Sequence, residues 1–166
     1  AESISEKIAL VLDTNEYVNI IFASAPSQNE FLAELLKKNV RWNCVNAFHM
    51  DEYVGLDKDA PQGFGNFLKE KLFTKVSCRE VHYLDGNAPD PEKECERYAA
   101  LLEKYPTDIV CLVIGENTHL AFNDPHVADF NDPKMVKVVD LDQDTRLQQV
   151  NDGCFGNMYE LPTTAL

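Results

Sequence analysis

The sequence has no apolar run long enough to span a bilayer. A membrane helix needs about 20 consecutive apolar residues, and stretches such as 109–114 stop far short of that. No membrane partner is therefore expected. Basic residues are also scarce: 15 Lys and Arg stand against 28 Asp and Glu, for a formal charge of −13. Such a chain repels phosphate backbones and anionic surfaces at long range, so no nucleic-acid partner is expected either. A small anion is a different matter, because a few local donors outweigh the mean field. No CxxC pair occurs among the five widely spaced cysteines, which points to reduced thiols in the cytoplasm rather than a disulfide framework or a metal knuckle. Cys44 and Cys111 lie in apolar runs and read as small buried hydrophobes. Residues 1–7 offer no basic segment before an apolar run, so no signal peptide is expected. No repeat, low-complexity tract or Gly/Ser linker interrupts the chain. At 166 residues, 45 % hydrophobic and 26 % charged, it reads as one globular domain.

The elements alternate. Ile4, Ile8, Val11 and Leu12 recur at helical spacing, with Ser3 or Ser5 as the cap. Residues 17–23 form a short apolar run rich in β-branched residues and read as a buried strand. Phe31, Leu32, Leu35 and Leu36 then form a helical stripe that ends in basic residues, which suit a helix C-terminus. Residues 44–48 read as a strand, followed by a polar loop over 49–59. Phe64, Phe67, Leu68, Leu72 and Phe73 make the next helical face, and 80–84 the next strand. Asp90-Pro91-Glu92 combines a cap, a first-turn proline and an early acid, so a helix begins there. Residues 108–115 are the clearest buried-strand signal. Residues 135–141 are a further strand candidate, and 144–150 a short helix. This alternation predicts an α/β fold: an open, mostly parallel sheet with helices on both faces, Rossmann-like. Ligands in such sheets bind beyond the C-terminal ends of the strands.

Three post-strand loops carry chemistry-bearing residues. Ala23-Ser24-Ala25-Pro26-Ser27-Gln28 could hold a phosphate at a helix N-terminus, but no glycine opens it, and a simple helix-capping role for Ser24 or Ser27 fits the residues better. Phe48-His49-Met50-Asp51-Glu52-Tyr53-Val54-Gly55 places two acids where a general base could sit, or forms an exposed acidic turn. In the third loop His119 follows the most apolar strand, with Asp124 five residues on. A carboxylate-oriented imidazole shuttles protons near neutral pH, whereas a His that only bonds loop backbone is the alternative. His49 and Asp51 lack the spacing partners of a metal site, so no metal is expected. Without a G-x-S-x-G elbow, a serine-hydrolase triad is a poor reading.

Together these loops resemble the glucosamine-6-phosphate deaminase/isomerase family, which shares a fold with the 6-phosphogluconolactonases. The resemblance runs from about Tyr17 to Leu166. It rests most on Phe48-His49-Met50-Asp51-Glu52-Tyr53-Val54-Gly55 and His119-Leu120-Ala121-Phe122-Asn123-Asp124-Pro125. Asp85-Gly86-Asn87-Ala88, Glu94-Cys95-Glu96-Arg97-Tyr98 and the segment from Thr145 to Gly153 follow in order. It implies an enzyme of amino-sugar metabolism that converts glucosamine 6-phosphate to fructose 6-phosphate and ammonia without metal or organic cofactor. In that reading Asp51 moves the proton between C1 and C2, His119 opens the ring, and Asp124, where the family usually has Glu, orients His119. Ser24, Ser27 and Arg146 hold the phosphate, and Glu52 completes the substrate site. The expected partner is a small phosphorylated sugar, and a homo-oligomer is implied by resemblance alone.

The chain departs from the pattern at Asn117, where an Asp is usual, at Thr118, where a Gly is usual, and at Ala25, again in place of Gly. Asn117 orients but carries no charge. These departures keep two alternatives in view, a 6-phosphogluconolactonase-type hydrolase and a non-catalytic sugar-phosphate binder. The family continues past Leu166, so residues 1–166 are expected to form a single domain that lacks its C-terminal part.

Overall fold

The computed structural model describes residues 1–115 and 118–166. The periodic segments fold as their spacing requires. Helix α1 (Glu2–Leu12) turns Ile8 and Leu12 inward. Its first turn begins ahead of both candidate caps, and the Ser5 hydroxyl donates to the Glu2 carbonyl instead. Strand β1 (Val18–Phe22) alternates: Val18, Ile20 and Phe22 are fully buried in one core, while Ile21 packs on the opposite side. A 3₁₀ turn (Pro26–Gln28) leads into α2 (Asn29–Leu35), and β2 follows at Val45–His49. Helix α3 (Phe64–Leu68) ends in a π turn at Lys69–Phe73. Then come β3 (Glu80–His82), α4 (Pro91–Lys104) and β4 (Ile109–Cys111). Asp90 caps α4 by accepting from the Lys93 amide. The acidic first turn and Pro91 complete that start.

The four strands are parallel in the order β3-β2-β1-β4. Helices α1, α2 and α3 cover one face around Leu32, Leu35, Leu68 and Leu72. Each such side chain stabilises the fold by about 1.5–3 kcal/mol on burial. Helix α4 covers the other face, where Tyr98 and Cys95 meet Phe48, Leu84 and Tyr105. The fold is thus α/β with helices on both sides of a parallel sheet. Cys111 is buried, while Cys44 is half-buried against the core.

Two expectations are corrected. The run 108–115 yields only three strand residues, and Val110, Leu112 and Ile114 are exposed. A continuous apolar run implies cover on both faces, yet β4 is an edge among the described residues and only Ile109 and Cys111 face the core. Likewise 135–141 adds no parallel strand. Only β5 (Val139–Asp140) forms, ahead of α5 (Gln143–Asn151), and it pairs antiparallel with β6 (Thr164–Ala165). Residues 164–166 also bond the loop after β2: Glu52 and Leu166 exchange amide-to-carbonyl bonds of 3.1 and 2.9 Å, and the Val54 amide donates to Thr164. An aromatic cluster of Tyr53, Phe64, Phe122 and Phe155 fills the space beneath.

Candidate active site

The chain runs β1, β2, β3 in one direction across the sheet, then α4 carries it back to β4 on the far side of β1. The loops leaving β1 and β4 therefore diverge, which opens a crevice at their C-terminal ends. A cleft of about 360 Å³ lies there, lined by Ser24, Ser27, Asp51, Gly115, His119 and Phe122, with Gln148, Gln149 and Asp152 from α5 and the residue beyond it.

The loop after β1 lines this cleft with Ser24 and Ser27, and neither hydroxyl caps a helix. Neither the 3₁₀ turn nor α2 has a side-chain cap, and buried Ser24 donates to the Phe64 carbonyl at 3.3 Å. The helix-capping role is thereby corrected, because the capping positions fall on Ala25 and Gln28.

The loop after β2 is not an exposed acidic turn. Asp51 is 7 % exposed, and its Oδ1 meets no hydrogen-bond donor among the described residues. Burial, reinforced by the neighbouring Glu52 charge, pushes its carboxyl up to about 8. Asp51 also borders a second cleft of about 370 Å³, shared with His49 and Tyr98. Glu52 points the other way. Its carboxylate accepts the amides of Tyr53, Phe64 and Gly65 at 2.9, 3.1 and 2.9 Å. Burial raises its pKa, against the opposing pull of those amides. It pins the loop to the start of α3 and does not line the cleft that holds His119. His49, the last residue of β2, is fully buried. Its Nε2 accepts the Leu84 amide at 2.9 Å, tying the end of β2 to the exit of β3. Burial drives this imidazole down to about 4, so it is neutral at physiological pH.

The loop after β4 turns tightly. The Gly115 amide donates to the His119 carbonyl and the Thr118 amide to the Gly115 carbonyl, both at 2.9 Å. A Cβ at Gly115 would overlap the His119 ring, so only glycine lets the imidazole lie across the backbone here. Thr118 takes φ +68°, a left-handed conformation that strains a β-branched residue. His119 Nδ1 lies 3.3 Å from Oδ1 of fully buried Asp124, so the imidazole engages a side chain and not backbone alone. Asp124 is gripped by the start of α5: the Asp142 amide donates to Oδ2 at 2.9 Å and the Thr145 hydroxyl to Oδ1 at 2.5 Å. Asn117 lies outside the described residues.

The structure thus brings Ser24, Ser27, Asp51 and His119 to one cleft, with Asp124 behind His119. Arg146 is elsewhere. Its Nη2 donates to the Met158 and Leu161 carbonyls at 2.6 and 3.0 Å, bracing that turn, while its buried Nε meets no acceptor among the described residues. Thr145 escaped the sequence reading because a threonine in a helix's first turn carries no signal of its own, and its partner Asp124 is 21 residues away. Among the described residues no cluster of three His, Cys, Asp or Glu side chains could hold a metal ion, and no helix is long and apolar enough to cross a membrane.

This chain is similar to known proteins in sequence and fold. A glucosamine-6-phosphate deaminase of Exiguobacterium sp. is 38 % identical over 122 residues, covering 74 % of this chain and 46 % of its own. A solved monomeric glucosamine-6-phosphate deaminase superposes with a TM-score of 0.84 at 25 % identity, over 97 % of this chain and 69 % of its own. A 6-phosphogluconolactonase of Thermotoga maritima gives 0.71 at 26 % identity, over 86 % and 66 %. The chain spans 46–66 % of the length of the first curated relatives it matches. Residues 1–146 match the family described as glucosamine-6-phosphate isomerases/6-phosphogluconolactonase. With the crevice, the parallel sheet and that match in agreement, this chain belongs to the glucosamine-6-phosphate isomerase/6-phosphogluconolactonase family.

Proposed function

We propose that this chain carries the core of a deaminase that converts glucosamine 6-phosphate to fructose 6-phosphate and ammonia. One observation carries the reading: Asp51, a buried carboxyl with an unpartnered oxygen and a pKa near 8, lines the same cleft as His119. A base poised near working pH and an oriented imidazole are what an enolisation next to a carbonyl needs. His119 moves the proton that opens the sugar ring and frees the C1 aldehyde. Asp51 takes the C2 proton and returns it to C1 while O1 gains a proton and the nitrogen gives one up, so the C1 aldehyde becomes an alcohol and the C2 amine an imine. Water adds to C2 and ammonia leaves. Ser24 and Ser27, which line the cleft, are the candidate phosphate contacts, and Arg146, whose Nη2 alone holds the Met158 and Leu161 carbonyls, keeps further donors for the same role. The reading places the protein in the cytoplasm, as a homo-oligomer or, like its solved relative, a monomer.

Ammonia release from glucosamine 6-phosphate tests the proposal. Wild type should release ammonia, and Asp51→Asn should lose about 10²–10⁴-fold in rate. A wild-type protein that releases none from any amino-sugar phosphate overturns the reading. Strained Thr118 favours a second reading, saturable sugar-phosphate binding without turnover, which calorimetry would reveal. Rapid lactone hydrolysis would instead assign the chain to the hydrolase branch.

A further inference from the structure

The His119–Asp124 contact is long for a charge-assisted bond. At 3.3 Å it exceeds the usual range of about 2.7–2.9 Å. Thr145 stands beside it. Its hydroxyl donates to Asp124 Oδ1 at 2.5 Å, so its own oxygen keeps lone pairs to offer, and that oxygen lies 3.5 Å from His119 Nδ1. The Nδ1 position thus faces a fork of two acceptors, Asp124 Oδ1 and Thr145 Oγ1. Thr145 is 2 % exposed. Its branched Cβ restricts the rotamer, and its backbone lies in the first turn of α5, three residues past the Asp142 cap. That same turn holds Asp124 through the Asp142 amide. Helix α5 therefore sets the carboxylate and the hydroxyl together.

We infer that Thr145 is a positioning residue: with Asp124 it forms a forked acceptor that keeps the proton of neutral His119 on Nδ1, leaving Nε2 as the basic nitrogen of the ring. The inference deepens the deaminase reading and rests on it for its catalytic consequence. Its structural content is independent, since the tautomer is a property of the substrate-free protein. A neutral ring can serve as acceptor of the sugar's ring-opening proton only through its bare nitrogen. A ring that samples both tautomers would spend part of its time without a basic Nε2.

Nitrogen-15 histidine NMR on the full chain without substrate reads the tautomer directly. Wild type should show His119 as the Nδ1–H form. Thr145→Val, which keeps the shape and removes the hydroxyl, should shift the ring toward a mixture, and Thr145→Ser should restore the wild-type signature. In the ammonia assay Thr145→Val should lose roughly 10- to 100-fold in kcat, with KM held within about twofold and Ser recovering most of the rate. Thr145→Ala carries the same test should the Val variant not fold. An unchanged ring signature in the hydroxyl-free variant overturns the inference, whatever the activity. So does a Ser variant that behaves like Val. A wild type without ammonia release overturns the deaminase reading instead, and the ring signature alone then decides this one.

Discussion

Asp51 and Asp124 are the same residue type, both buried, at the mouth of the same sheet, and their surroundings are opposite. Asp124 accepts from the Asp142 amide and the Thr145 hydroxyl and faces His119. Asp51 has an oxygen with no donor among the described residues and a charged neighbour, Glu52, whose own carboxylate is spent on three amides. A saturated carboxylate is a fixed part that orients another group. An unsaturated one is held in an uncomfortable state, and the discomfort raises its pKa, as the proposed role of base requires. The comparison teaches that burial alone assigns no role; the supply of donors does.

Matched substitutions sharpen this contrast. Asp51→Asn should have the larger effect, and its sign depends on pH. Between the ordinary value of 3.8 and the folded value near 8, the folded protein keeps a proton that the unfolded chain has released. Stability contributed by this site therefore falls as pH rises through that window, by on the order of a few kcal/mol. Denaturant titrations should show wild type weakening from pH 6.5 to 9 and Asp51→Asn holding level. Equal slopes in the two proteins would break the comparison. Starting at pH 6.5 avoids His49, whose depressed pKa gives the reverse slope: stability is lost as pH falls from 6.5 toward 4.

Asp124→Asn should be destabilising at every pH. It turns an NH₂ toward donors that had a carboxylate, at a cost of about 1–3 kcal/mol, which chemical denaturation at pH 7 would measure. An Asp124→Asn protein as stable as wild type would mean the grip of α5 on this loop is not structural. The smallest effect belongs to Thr118. Replacing it by glycine relieves the left-handed strain at φ +68° but loosens the unfolded chain, for a net gain of about 0.5–1 kcal/mol in thermal denaturation. A loss on Thr118→Gly would show that the side chain earns its place by contacts that outweigh the strain.

Much of the framework was legible in the residues. Strand β1 was readable because its apolar run is short, β-branched and central in the sheet, so pattern and burial agree. Helix α4 was readable to the residue at its start, because Asp90-Pro91 is a local capping signal. The site was partly legible: Asp51, His119 and Asp124 stood out as chemistry-bearing residues after strands. The bonds that Glu52 and Arg146 make to distant backbone groups were not legible, since such partners leave no mark in the sequence. β4 misled for a related reason. Its run is apolar throughout, and only the sheet order shows that one side has no strand beside it among the described residues.

The sequence by itself determined the alternation of elements, the parallel sheet and the three loops that bear the chemistry. Those follow from hydrophobic period, caps and chain direction, all of which act within a few residues. Tertiary structure alone decided which acid is supplied with donors and which is left short of them. It also placed Thr145 beside His119 and used residues 164–166 to tie down the loop that carries Asp51. Those outcomes depend on which donors arrive from elsewhere in the chain, and proximity of that kind exists only after the sheet and its covering helices have packed.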